Sequence, residues 1–180
     1  VEVTSHAIVQ SRIWGINLDT AVFTNLSHEH LDYHGTMEAY RNAKGLIFKR
    51  LYSSSRKAGV EKISIVNADD PEHDYFEGFP VDQLFTYGIQ KGAYSARNIE
   101  LNPSGSKFQI KIPNGEAEII FSIPGRMNVF NALAAATTAV AHKINLEIIK
   151  TALQKMQPIP GRIEVIDEGQ PYTTVLDFAH

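Results

Sequence analysis

Short apolar runs that end in polar residues dominate the first half of the chain. Val1-Glu2-Val3 leads into Thr4-Ser5-His6, and Ala21-Val22-Phe23 leads into Thr24-Asn25-Leu26. Lys62-Ile63-Ser64-Ile65-Val66-Asn67, closed by the turn Ala68-Asp69-Asp70-Pro71, and Leu84-Phe85-Thr86-Tyr87-Gly88 repeat the pattern. Apolar runs of this length are what strands buried on both faces of a parallel sheet require, and such sheets carry function at the carboxyl ends of their strands. Thr36 is a suitable N-cap and Glu38 falls in the first turn after it, which predicts a helix to about Tyr52, with Ser53 to Lys57 as the turn out. Helical or irregular material is expected between the last two strands.

From Ala93 to Ile123 the period becomes two. Phe108, Ile110 and Ile112 alternate with Lys107, Gln109 and Lys111, and Gly105 and Asn114-Gly115 are turn signals. Three antiparallel strands, a small sheet of their own over residues 93–123, follow from that alternation. Pro124-Gly125 ends the sheet, and Asn128 to His142 then reads as an Ala-rich helix buried on most sides. A second helix is expected from Asn145 to about Lys155, a break at Pro158, Pro160 and Gly161, and two closing strands, Arg162 to Asp167 and Thr173 to Phe178. The fold class is therefore α/β: a mostly parallel sheet flanked by helices, with a three-stranded antiparallel sheet beside it.

Composition narrows the function. With 180 residues, 43% of them hydrophobic, the chain builds one main core. Seventeen Lys and Arg against 20 Asp and Glu leave a net charge of −3, so no nucleic-acid or anionic-membrane surface is advertised. The absence of cysteine excludes disulfides, thiolate metal sites and a cysteine nucleophile. No apolar run is long enough to span a bilayer, and the chain starts with neither Met nor a basic leader. A soluble, cytoplasmic protein cut from something longer is expected.

Three features carry candidate chemistry. Ser27 to His34 holds three of the seven histidines together with Glu29 and Asp32, directly after a predicted strand. Such a set suits a divalent cation (Mg, Mn or Zn), or else it is a solvated loop. Lys44 lies in the middle of the apolar face formed by Tyr40, Ile47, Phe48 and Leu51. It either snorkels to water or is a buried amine of lowered pKa. Asn128 and Asn131 share one face at the start of the Ala-rich helix behind Gly125-Arg126, either as a cap or as amides that read a ligand at a positive helix end. Arg162 in a turn and Asp177 at a strand end are weaker signals. No Gly-x-x-x-x-Gly-Lys-Ser/Thr, Gly-x-Gly-x-x-Gly or Gly-x-Ser-x-Gly pattern occurs.

Taken in order, Glu2 to Arg12, Phe23 to Gly35, Ala43-Lys44, Asn67 to Asp70, Asn128 to Ala134 and Pro160-Gly161-Arg162 resemble the Mur ligases, in particular the tripeptide-forming branch. Folylpolyglutamate and cyanophycin synthetases are less similar in the first two segments. The resemblance implies the ATP-binding central domain of a three-domain enzyme of peptidoglycan precursor synthesis. It implies phosphorylation of the D-glutamyl carboxylate of UDP-MurNAc-L-Ala-D-Glu by ATP, then attack of an amino acid's amine on the acyl phosphate. The third residue stays open between diaminopimelate, lysine and another amine. By the same resemblance, Glu2 and His30 match Mg ligands, and Lys44 matches a lysine that carbamylates and joins them. Thr4, Gln10 and Arg12 match substrate-binding positions, and Asn128, Asn131, Arg162 and Asp177 match ATP-binding positions.

The family's Gly-Thr-x-Gly-Lys-Thr loop is expected before Val1 and its amino-acid-selecting domain after His180. Residues 1–180 are then a fragment of the central domain, expected to be inactive alone. Two other readings stay open. His28, His30 and Asp32 resemble the metal loop of metallo-β-lactamase hydrolases, with Tyr33 where that family needs a further His. A nucleotide- or partner-binding module without catalysis is the other.

Overall fold

The computed structural model describes residues 1–178; Ala179 and His180, the end of the closing segment, lie outside the described residues. The chain divides into two compact units, residues 1–87 and 88–180.

The first unit is built on three parallel strands, β1 (Thr20–Phe23), β2 (Ile63–Asn67) and β3 (Gln83–Gly88). β2 is the middle strand: Val66 lies opposite Phe23 of β1 and Ile65 opposite Phe85 of β3. All five of its residues are buried, as a continuous apolar run predicts. Four helices accompany the strands: α1 (Ser5–Val9), α2 (Leu31–His34), α3 (Met37–Ser53) and α4 (His73–Glu77). α3 starts where the sequence puts it, with the Thr36 hydroxyl accepting the Ala39 N–H at 3.1 Å. Phe23 and Phe76 stack at 3.7 Å between centroids, and Phe48, Leu51 and Val66 complete the core. Gly45 belongs to this packing. A Cβ there would stand 2.5 Å from the Tyr75 hydroxyl and 3.0 Å from the Phe79 ring, so a side chain would displace both aromatics from α3.

Two expectations fail here. Val1 to Val3 form no strand; Thr4 is an extended N-cap whose hydroxyl accepts the Ala7 N–H at 3.2 Å, and α1 begins at Ser5. Two valines in three residues carry little strand signal, and a good cap outweighs it. Thr24 to Leu26 leave β1, which ends at Phe23.

The second unit contains β4 (Tyr94–Asn102), β5 (Gly105–Ile112) and β6 (Gly115–Phe121), an antiparallel meander in which Phe108 faces Ile119 and Ile110 faces Ala117. The alternating residues Phe108, Ile110, Ala117, Ile119 and Phe121 are buried, as period two requires. α5 (Arg126–Ala141) buries Val129, Ala132, Leu133, Ala136 and Thr137 along one helical stripe, and α6 (Leu146–Gln154) is capped by the Asn145 side chain on Glu147 N at 2.8 Å. β7 (Glu164–Ile166) and β8 (Thr174–Leu176) pair antiparallel as a ribbon of their own. No helix among the described residues is long and apolar enough to cross a membrane.

Lys62, directly ahead of β2, is fully buried. Its ammonium donates to the Leu18 carbonyl, to Ser55 O at 3.1 Å, to Ser54 Oγ at 3.0 Å and to Asp19 Oδ1 at 3.3 Å. It thereby bolts the approach to β1 and the end of α3 to the start of β2. Lys62→Met keeps the stem but strands buried acceptors, and should lose about 2–4 kcal/mol of unfolding free energy in urea titrations. Exposed Lys49→Met should change it by less than about 0.5 kcal/mol.

Candidate functional site

The carboxyl end of β1 is held residue by residue. Tyr87 Oη donates to Phe23 O at 3.2 Å, Asn67 Nδ2 to Thr24 O at 2.8 Å, and Lys44 Nζ to Asn25 O at 3.0 Å. Leu26 N donates to Asp70 Oδ2 at 2.8 Å. Asn67 and Asp70 also shape their own turn, accepting from Asp69 N at 3.1 Å and Glu72 N at 2.9 Å. The sequence reads Asn67 as the end of a strand and Ala68 to Pro71 as a turn, and assigns Asn67 and Asp70 no part in a site; the signal for one is an amide and carboxylates at the exit of a fully buried strand.

Lys44 is half-buried on α3. Its Nζ lies 5.1 Å from the centroid of the Tyr40 ring as well as on the Asn25 carbonyl. Burial pushes the amine below the ordinary lysine pKa, against the opposing pull of Glu29 and Asp70. The snorkelling alternative asks for a solvated ammonium; the structure instead directs the amine onto a backbone carbonyl. A lowered pKa raises the share of the neutral, nucleophilic amine at a given pH.

Ahead of this edge, Glu2, Thr4, Gln10 and Arg12 are all exposed along α1 and its flanks. Thr4 accepts the capping N–H and keeps its hydroxyl proton to donate. Gln10 N bonds His6 O and Arg12 N bonds Ala7 O, both at 2.8 Å, so the backbone of both residues stays wound onto α1. The histidine loop folds as the short helix α2, with His30 at its N-cap position in the left-handed region (φ 59°). Around it gather rings: His6 lies 4.9 Å from His30 and 5.5 Å from His34, and His34 stacks on Tyr40 at 5.3 Å. His34 Nε2 is 2.9 Å from Ser5 Oγ, a pairing of the histidine cluster with α1 that no local sequence signal announces. His28 is exposed. Among the described residues, the one group of three or more histidines and acids whose ligand atoms converge is His73, Asp74 and Glu77 on α4, so His28, His30 and Asp32 do not assemble the hydrolase-type metal loop.

The remaining candidates belong to the second unit. α5 starts at Arg126, two residues earlier than expected, behind Gly125 at φ 95°. Asn128 is therefore inside the first turn rather than at the cap. Its Nδ2 donates to Pro124 O at 2.8 Å, while its Oδ1 accepts from Asn131 Nδ2 at 3.1 Å. A Cβ on Gly125 would lie 3.2 Å from Ile163 Cδ1, which brings the ribbon's base against the start of α5. Asp177 Oδ1 accepts from Ile163 N at 3.2 Å, and exposed Arg162 stands 5.5 Å from the Phe178 ring. Asn128 and Asp177 are thus linked through Gly125 and Ile163, with Asn131 one turn further on and Arg162 turned to Phe178.

Comparison with known proteins adds the following. Residues 1–139 match the model of the Mur ligase middle domain. The UDP-N-acetylmuramoyl-L-alanyl-D-glutamate--2,6-diaminopimelate ligase of Geobacillus thermodenitrificans is 44% identical over the whole of this chain, which spans 37% of that relative's length. The protein of the same name from Bacillus velezensis is 41% identical, again over the whole chain and 37% of its own length. Among solved structures, MurF from Acinetobacter baumannii is 25% identical with a TM-score of 0.78, over 89% of this chain and 34% of that one. A UDP-N-acetylmuramoyl-L-alanyl-D-glutamate--2,6-diaminopimelate ligase structure reaches 28% and 0.79, over 93% of this chain and 34% of that one.

The ring cluster sets a pH dependence. Desolvation first, then the charges of His6 and His30, hold His34 below its ordinary pKa of 6.5, with Asp32 opposing. The unfolded chain therefore takes up this proton at higher pH than the folded one, so stability is greatest above 6.5 and falls as pH drops from there toward the folded value. NMR titration of the imidazole C–H signals should place His34 below 6.5, and a His34→Phe variant should have a flatter stability profile across that window.

Proposed function

The chain belongs to the Mur ligase family, residues 1–139 matching its middle domain, and from that premise we propose that it is the central part of an ATP-dependent ligase joining 2,6-diaminopimelate to UDP-N-acetylmuramoyl-L-alanyl-D-glutamate. Relatives of that name, similar along the whole chain, support the choice of amino acid. In this reading ATP phosphorylates the D-glutamyl carboxylate, the amine of diaminopimelate attacks the acyl phosphate, and phosphate and ADP leave. ATP and a nucleotide-linked precursor as substrates make the enzyme cytoplasmic.

The observation that carries the reading is Lys44, half-buried, lowered in pKa and held at the exit of β1. A neutral amine adds carbon dioxide, forming a C–N bond and releasing one proton, and the product is a carboxylate. That converts a cation at the edge of the core into an oxygen donor. With the carboxylate of Glu2 and the imidazole of His30 on neighbouring segments, the donor set is mostly hard oxygen, which suits Mg. Bound there, Mg would neutralise charge on the transferring phosphoryl group. Thr4, through its remaining hydroxyl proton, Gln10 and Arg12 would hold the UDP-linked dipeptide. In the second unit, Asn128 and Asn131 would face adenine, Arg162 the phosphates and Asp177 the ribose.

The test uses the full-length ligase of which we take this chain to be the middle domain, assayed for diaminopimelate-dependent phosphate release. Lys44→Ala should lower turnover by roughly a hundredfold or more, as loss of a metal-site residue does. Short-chain carboxylic acids should restore part of it by supplying the missing carboxylate. Lys44→Arg should stay inactive, because a guanidinium keeps its charge and does not add carbon dioxide; an active Arg variant overturns the carbamate. Turnover without diaminopimelate but with another amino acid would overturn the substrate.

A further inference from the structure

Resting on that reading, we propose that His34 is a positioning residue: its hydrogen bond to Ser5 latches the segment bearing Glu2, Thr4, Gln10 and Arg12 to the helix bearing Lys44, and so fixes where the UDP-linked dipeptide is held.

The argument begins with size. α1 has five residues and α2 four, and helices of one turn do not hold themselves in place; their position comes from what their side chains meet. For α1, the buried polar anchor is Ser5. It is 1% exposed and follows Thr4 directly, yet the cap is made by the Thr4 hydroxyl, so the Ser5 hydroxyl serves a different purpose. It lies 2.9 Å from His34 Nε2.

On its other side, His34 is fixed twice. Its ring lies nearly parallel to that of Tyr40 (25° between planes), and Tyr40, 2% exposed, belongs to the core of α3. The backbone N–H of His34 donates to His30 O at 3.0 Å, so the two histidines move together. The same Tyr40 ring carries Lys44 Nζ at 5.1 Å from its centroid. Ser5, His34, Tyr40 and Lys44 therefore form one continuous line of contacts. It joins the exposed polar residues of α1, the His30 turn and the α3 lysine, three pieces of chain that a ligand must meet in register.

Two variants separate the latch from general packing. His34→Phe keeps a ring on Tyr40 and loses the hydrogen bond, whereas His34→Gln sets an amide near the former Nε2. In the full-length ligase, His34→Phe should raise the KM for the UDP-linked dipeptide about tenfold, the worth of one buried hydrogen bond. The KM for ATP should stay within about twofold, and His34→Gln should recover most of the loss. Ser5→Ala should match His34→Phe, and the double variant should be no worse than either alone.

A second measurement needs no activity. Hydrogen exchange of the amides of residues 7–12 should quicken about tenfold in His34→Phe, return toward the wild-type rate in His34→Gln, and stay unchanged in β2. A wild-type enzyme without ligase activity would refute the proposed function, and the exchange measurement alone would then decide whether the latch exists. Unchanged exchange in His34→Phe overturns the latch. An equal rise in KM for ATP and for the dipeptide overturns the positioning role.

Discussion

Four successive residues at the exit of β1 each surrender a backbone group to a side chain from elsewhere in the first unit. Tyr87 comes from β3, Asn67 from the end of β2, Asp70 from the turn that follows it, and Lys44 from α3. A strand leaving a parallel sheet loses its ladder partners at this point, and the orphaned N–H and C=O groups must be met by something other than strand. Here polar side chains meet them. Each bond adds only about 1 kcal/mol net, but leaving any one group buried and unpaired costs more, so the four act as a fixed template. Lys44 cannot be moved without disturbing the template, nor can Asp70. The site's geometry is thus a consequence of finishing β1.

The two inward-facing lysines show how burial is used differently at the two ends of the strands. Lys62, at the amino end, is met by two carbonyls, a hydroxyl and a carboxylate, so every N–H finds an oxygen. Lys44, at the carboxyl end, is given one carbonyl and an aromatic face. Desolvation there outweighs the attraction of Glu29 and Asp70, and the amine's pKa falls. The same residue type is a structural bolt at one edge and, in the role proposed for Lys44, a reactive group at the other.

Much of this was legible in the sequence, for definable reasons. Strands β2 and β3, the meander and helices α3 and α6 follow from continuous or alternating apolar runs and from Thr and Asn caps, signals that are local. Lys44 stood out because a charged residue interrupted an apolar helical face. The elements that escaped notice, α1 and α2, are a single turn long, below the length at which any periodicity can be read. The beginning of α5 moved to Arg126 because Gly125 takes a positive φ that only the folded chain reveals. The pairing of Ser5 with His34 is hidden for a further reason: although His34 belongs to the legible histidine cluster, the two residues are 29 apart, and nothing local in either segment announces a partner at that distance.

Counting polar atoms also indicates which groups remain for a ligand. At the start of α5, Asn128 spends an amide hydrogen on Pro124 and its carbonyl on Asn131. It is therefore a brace, fixed by both ends of its amide. Asn131 gives one hydrogen to that brace and, exposed on the helix surface, keeps its carbonyl and its second hydrogen. In the ATP-binding role proposed for the pair, the outer asparagine makes the donor–acceptor contact to the base, and the inner one holds its orientation. The same division recurs at α1, where Thr4 accepts the capping N–H and retains a proton to give. In both places a side chain engaged in starting a helix or tying down a neighbour keeps part of its hydrogen-bonding capacity, already oriented. A ligand bound by those remaining atoms is spared much of the entropic cost of ordering them, which is why binding groups belong at the termini of elements that the fold must cap in any case.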